Sequence, residues 1–176
     1  MPNAVFHIIF AIFIAEIIRE IVGRKKFPIM YVFIAGLAGI LPDLDIAAFW
    51  IMYFFGFTLE QVHRTFTHTL FLPLLFLIVA GLTWKFKNKD LGKHHLKLHN
   101  IFLMIALGSF IHLLLDAAIS GMIVPLYPLV TFSIGLNLLK HLPYALQQIA
   151  LPSLDAGIFI LWLIWLEYRH KISNFI

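Results

Sequence analysis

The chain predicts an all-α integral membrane bundle of about five transmembrane helices plus a re-entrant or interfacial helix. Three observations carry that expectation: composition, the lengths of the apolar runs, and a one-sided distribution of basic residues. Of the 176 residues, 61% are hydrophobic and 12% charged, whereas a soluble domain runs at about 45–50% apolar and about 25% charged. The 18 phenylalanines suit a lipid-facing surface. One domain spanning residues 1–176 is the natural reading at this length. With no cysteine, disulfides and thiolate metal sites are excluded.

A spanning helix needs roughly 20 mostly apolar residues, with a range of about 17–25. Five segments meet or approach this length. The first runs from Ala4 to Ile18; with no basic n-region before it and no small-residue cleavage site after it, it reads as a retained helix. The second runs from Pro28 to Leu41 and is stopped by Pro42. The third covers Leu70 to Phe86, the fourth Ile101 to Ser120, and the fifth Asp155 to Tyr168. Two further apolar stretches are harder to place, Ile46 to Phe57, which as a sixth span would send the Lys85–Lys97 loop outside, and the Pro- and Gly-broken Gly121 to Pro152.

Basic residues fix the expected topology. Arg19, Arg24, Lys25 and Lys26 follow the first helix; Lys85, Lys87, Lys89, Lys93 and Lys97 lie between the third and fourth; Arg169 and Lys171 follow the fifth. Five spans place all three clusters on one side, which the positive-inside rule makes cytoplasmic. Arg64 and Lys140 are left for the other face. Ile46–Phe57 is therefore expected as the re-entrant or interfacial helix, with Trp50 and Tyr53 at the headgroup boundary. The expected protein is a multi-pass cell (inner) membrane protein, its N-terminus outside and its C-terminus cytoplasmic. The net charge of +4 reads as a topology signal, and no nucleic-acid partner is expected.

Ionisable residues inside spans are expensive, and each asks for a reason. His7 lies near the start of the first helix, and Asp43 and Asp45 end the second in LPDLD. His63 and His68 bracket HRTFTH before the third, and His112 and Asp116 lie in the fourth. The last two are four residues apart and share a helical face. In the five-span topology all of these fall towards the outer face at similar depth. Imidazole and carboxylate are the usual ligands for zinc-like ions where thiolate is absent. The set His7, Asp43, Asp45, His63, His68, His112 and Asp116 exceeds the needs of one ion, so two divalent ions, zinc first, are expected. Two ions about 3.5–4 Å apart can clamp a phosphoryl group. Arg64 lies between two candidate ligands, and its planar fork suits phosphate oxygens. Arg64 and Asp45 are the candidate catalytic groups.

Plainer readings stand beside these. His7 could be an interhelical hydrogen-bonding residue, and Asp43 with Asp45 a helix stop and N-cap. His94, His95, His99 and His170 lie among basic residues and are expected to be solvated; His141 is left unassigned. Glu16, Arg19 and Glu20 are expected to pair structurally near the inner interface.

The early His7 followed by LPDLD, HRTFTHT and GSFIHLLLDAAISG resembles the YdjM-type family of inner-membrane-associated metal-dependent hydrolases, over the region from the first helix to about Pro128. That family is distantly similar to the all-helical zinc phospholipases C. The resemblance implies that His112 and Asp116 match a helical ligand pair, Asp43 or Asp45 a loop carboxylate, and His7, His63 and His68 the remaining histidines. A secreted phospholipase C also uses its N-terminal amino group and further histidines, which have no counterpart here.

The function expected is a membrane-bound metal-dependent hydrolase using a metal-activated water on a phosphoester in a membrane lipid or lipid-linked substrate. The alternatives are a non-catalytic membrane regulator, in which ligand substitutions leave function intact, and a metal-ion or proton transporter, which needs ionisable residues along a path through both faces.

Overall fold

A computed structural model of the chain describes residues 4–63, 65–86, 89–119 and 121–171. Seven α-helices make up the described fold, and the only strands among the described residues form a two-residue hairpin. Helix α1 (Ala4–Val22) turns through Gly23, whose φ of 99° a side chain would resist, into α2 (Ile29–Ala38). A 3-10 turn over Pro42–Leu44 leads to α3 (Asp45–Met52), a second 3-10 turn over Tyr53–Phe55, and the short α4 (Leu59–Val62). Next come α5 (Phe71–Thr83), the hairpin of β1 (Asp90–Leu91) and β2 (Leu96–Lys97), α6 (Leu98–Ile119) and α7 (Tyr144–His170).

Helix α6 is the centre, packed against α1, α2 and α5. In an apolar solvent helices associate through close packing of small residues, since lipid tails are as apolar as leucine. That is how this core is built: Ala11, Ala15, Ala35, Ala38, Ala106 and Ser109 are all buried. A Cβ at Gly108 would lie 2.3 Å from the Ala35 carbonyl and 2.7 Å from Ala38 Cβ, so α2 and α6 meet backbone to backbone. Large apolar residues such as Phe33, Leu37, Leu82, Phe159 and Ile164 instead face outward. Polar groups are inside: His7, Glu16, Asp45, His68, His99, His112 and Asp116 are buried.

The helix ends follow from local chemistry. Helix α2 stops at Ala38 because the Pro42 ring clashes with the carbonyl four residues earlier and offers no N–H. Helix α1 runs past the expected Ile18 to Val22; Arg19 pairs with Glu16 at 2.9 Å and Arg24 with Glu20 at 2.7 Å, which neutralises its charged last turns. Helix α7 starts at Tyr144 instead of Asp155 and runs through Pro152, a break that an apolar helix tolerates.

Two described helices, α6 and α7, are long and apolar enough to cross a membrane, or three if α2 and Pro42–Phe55, bent by 48°, form one broken span. Helix length alone thus does not deliver the five expected spans: α1 carries Glu16, Arg19 and Glu20, and α5 has 13 residues.

Contacts gather the basic segments at one end. Arg19 Nε donates to the Phe27 carbonyl at 3.1 Å, joining the end of α1 to the start of α2. The Lys97 backbone N–H donates to the Tyr31 hydroxyl at 2.6 Å, tying the hairpin to α2. Arg169 pairs with Glu20, and His170 Nε2 lies 3.0 Å from Glu16 Oε1, which seats the end of α7 there too. His170, expected to be solvated, is thus half-buried and paired with Glu16. His99, also expected to be solvated, is buried with its ring 4.6 Å from that of Trp84. His94, His95 and His141 are exposed.

Candidate metal centre

The opposite end of the bundle holds His7, Asp43, Asp45, His63, His68, His112 and Asp116. His7 sits about 18 Å along α1 from Arg19, at about 1.5 Å per residue. The Pro42–Leu44 turn swings Asp43 under it, and Asp45 opens α3. After α4 the chain passes His63 and returns through a turn that buries His68. Helix α6 supplies His112 and Asp116 from successive turns of one face.

The side chains converge. His68 Nε2 lies 3.3 Å from both Asp43 Oδ1 and His112 Nε2, and 3.7 Å from Asp116 Oδ2. His112 Nε2 is 3.5 Å from Asp43 Oδ1 and 3.8 Å from Asp116 Oδ2. His7 Nε2 is 3.5 Å from Asp116 Oδ1, and its ring stacks on His112 at 3.9 Å. His63 Nδ1 and Asp45 Oδ1 are 2.8 Å apart. Three overlapping ligand sets result: His7–His112–Asp116, Asp43–His68–His112 and Asp45–His63–His68.

The spacing of these side chains is of the size that a bound metal ion requires. Ligands about 2.0–2.1 Å from a tetrahedral zinc ion are about 3.3–3.4 Å apart, close to the separations above. His7 is fully buried, yet neither ring nitrogen has a hydrogen-bond partner among the described residues. A buried polar group without a partner is rare and points to a missing ligand.

Supporting groups fix the rings. The Nδ1–H of His112 donates to the Gly39 carbonyl at 2.8 Å, which directs Nε2 into the cluster. The Thr67 hydroxyl donates to Asp45 Oδ2 at 2.7 Å, and His68 Nδ1 lies 3.3 Å from that oxygen. Burial works against protonation of His68, but Asp43 and Asp45 outweigh it and raise its pKa to about 9. An ion bound to His68 near neutral pH therefore displaces a proton.

Residues 1–172 match the family described as YdjM inner membrane protein. The chain belongs to that family. The match runs the length of the fold from α1 to α7, well past Pro128, where the sequence resemblance was expected to fade. No curated protein and no solved structure matches the chain.

In this YdjM-family chain, all seven expected ligands are brought together: His7, Asp43, Asp45, His63, His68, His112 and Asp116. Arg64, the expected phosphate-binding and catalytic residue, lies outside the described residues. Sequence reading missed Gly39 and Thr67. Thr67 had a signal, its place beside His68 in HRTFTHT. The Gly39 carbonyl had none, because backbone acceptors are invisible before the fold is known. A further acidic set, Glu16, Glu20 and His170, lies at the basic end. There the carboxylates are held by Arg19, Arg24 and Arg169, which makes the group a clamp between α1 and α7.

Proposed function

We propose that this YdjM-family protein is a membrane-bound metal-dependent hydrolase that cleaves a phosphoester in a lipid or lipid-linked substrate. The observation that carries the reading is the convergence of His7, His68, His112, Asp43 and Asp116 within metal-ligand separations in an otherwise apolar bundle. Two divalent ions, zinc first, fit three overlapping ligand sets better than one ion does. A divalent ion held there supplies Lewis-acid polarisation of a phosphoryl oxygen and lowers the pKa of bound water towards about 7. The chain's own groups do the rest. His112 is oriented by Gly39. Asp45 accepts from Thr67 and His63, which fixes the loop carrying His63 and His68, and it is the proposed catalytic carboxylate at the edge of the centre. Arg64 is assigned the phosphoryl charge.

The membrane arrangement proposed with it has five crossings, made by α1, α2, α5, α6 and α7. The metal centre and N-terminus lie outside and the three basic clusters in the cytoplasm, as the positive-inside rule directs. The site's depth gives a membrane amphiphile lateral access.

The deciding experiment is elemental analysis of protein purified in detergent without chelator, with phosphodiester turnover assayed on the same preparation. About two equivalents of a divalent metal and metal-dependent turnover are expected. Less than half an equivalent of any transition metal would count decisively against the reading.

A further inference from the structure

The centre is sealed on one side and open on the other. The side chains of His7, His112 and Asp116 are 0% exposed, whereas His63 reaches 11% and Asp43 14%. Among the described residues, the Asp43–His63 edge is thus the more exposed side of the centre. That edge is the base of a flap. The chain leaves it at Asp45 into α3, reverses at Gly56 (φ 84°), and is recaptured by the Thr58–Gln61 capping box of α4 before returning to His63. The 2.8 Å contact between His63 Nδ1 and Asp45 Oδ1 closes the base. Both ends of the flap are thus candidate ligands.

The flap's outer part is apolar, aromatic and unshielded. No charged residue occurs from Ile46 to Thr58, and Trp50, Ile51, Tyr53, Phe54 and Phe55 are exposed, Phe54 at 85%. Leu44 and Phe66, beside the edge, are exposed as well. Helix axes bend by 48° between α2 and this segment, so it does not continue the α2 direction. Such a surface with Trp and Tyr suits the boundary between headgroups and acyl chains. A water-soluble substrate would have to cross that collar; a lipid held in the same layer would not.

Resting on the hydrolase reading above, we infer that the Asp45–His63 flap seats in the interfacial layer of the bilayer and admits a phospholipid headgroup to the centre over the Asp43–His63 edge, the apolar collar holding the lipid's hydrocarbon. The shared chemistry is a phosphodiester. Its source, membrane lipid or soluble ester, is what the collar selects.

Two measurements test this. The chain has no cysteine, so a nitroxide can be placed at Phe54→Cys, with His95→Cys on the exposed hairpin as the aqueous control, in phosphatidylcholine–phosphatidylglycerol vesicles. The Phe54 label is expected to be accessible to oxygen and shielded from an aqueous nickel chelate. Accessibility to the chelate equal to that of the His95 label overturns the placement. In the second measurement, a Trp50→Ser/Phe54→Ser double variant is expected to keep its metal and its turnover of bis(p-nitrophenyl) phosphate while losing about tenfold or more on phospholipid vesicles. Equal loss on both substrates, or no loss on either, overturns the collar's role. A wild type inert on both substrates overturns the hydrolase reading and the admission of a headgroup with it, while the label depth still decides where the flap lies.

Discussion

At the scale of single residues, the pair His112 and Asp116 is the sharpest test of the centre. Asp116→Asn keeps the shape and removes the charge that balances an ion, and Asp116 lies within 3.5–3.8 Å of His7, His68 and His112. Both Asp116→Asn and His112→Ala are expected to lower bound metal and abolish hydrolysis while the protein still inserts. Full metal and near-normal turnover in Asp116→Asn would make the pair structural and move a regulator ahead of an enzyme. Arg64→Ala should differ in kind, keeping metal and losing about 10²–10³ in turnover, since its assigned partner is the phosphoryl group. Thr67→Val removes the hydroxyl that holds Asp45. Orienting partners of this sort are worth about 10–100-fold in metal affinity or activity, and metal titration of the variant reads that loss. The residues that converge were legible because histidines and aspartates in apolar sequence have few other reasons to be there. Which nitrogen each ring presents was not, since the Gly39 carbonyl and the Asp45 carboxylate set it through contacts distant in sequence.

At the scale of helices, the main apolar helices were legible in the sequence and their ends and seams were not. Pro42 was read correctly as a stop, while Pro152 was read as a break and proves to lie inside α7. The difference is environmental: at Pro42 the chain must turn to present Asp43, whereas α7 is an outer helix with Ile158 its one buried residue among those described. Gly108 looked like any helical glycine, yet it is where α2 and α6 touch. Gly108→Leu is expected to force the helices apart and lower the apparent melting temperature in detergent by several degrees or more. That should also displace His112, whose Nδ1 partner, Gly39, follows α2. Gly81 is the control. It lies within α5 with nothing within 4 Å of an added Cβ, so Gly81→Ala should be neutral or stabilising by about 0.5–1 kcal/mol. Comparable melting of the two variants would mean that the α2–α6 seam carries no special weight.

At the scale of the whole molecule, two lines of reasoning meet on which segments share one end of the bundle. Charge counting along the sequence expects the segments bearing Arg24–Lys26, Lys85–Lys97 and Arg169–Lys171 on one face of the membrane. Through contacts independent of that count, the fold ties the same segments together, Arg19 with Phe27, Lys97 with Tyr31, and Arg169 with Glu20, and puts the candidate metal centre about 18 Å away along α1. The number of crossings was less legible, because α1 carries charged residues in its last turns and α5 is shorter than the usual span. Parity is what matters for access: an odd number of crossings between the N-terminus and the hairpin puts the lysines opposite His7. A Lys93→Cys variant tests this cleanly in a chain with no other cysteine. In intact cells an impermeant maleimide is expected to leave Lys93→Cys unlabelled and to label it after permeabilisation, while Phe66→Cys, exposed beside the open edge of the centre, labels from outside or is protected only by lipid. Labelling of Lys93→Cys in intact cells would invert the molecule. The centre would then face the cytoplasm, and any lipid it acts on would belong to the inner leaflet.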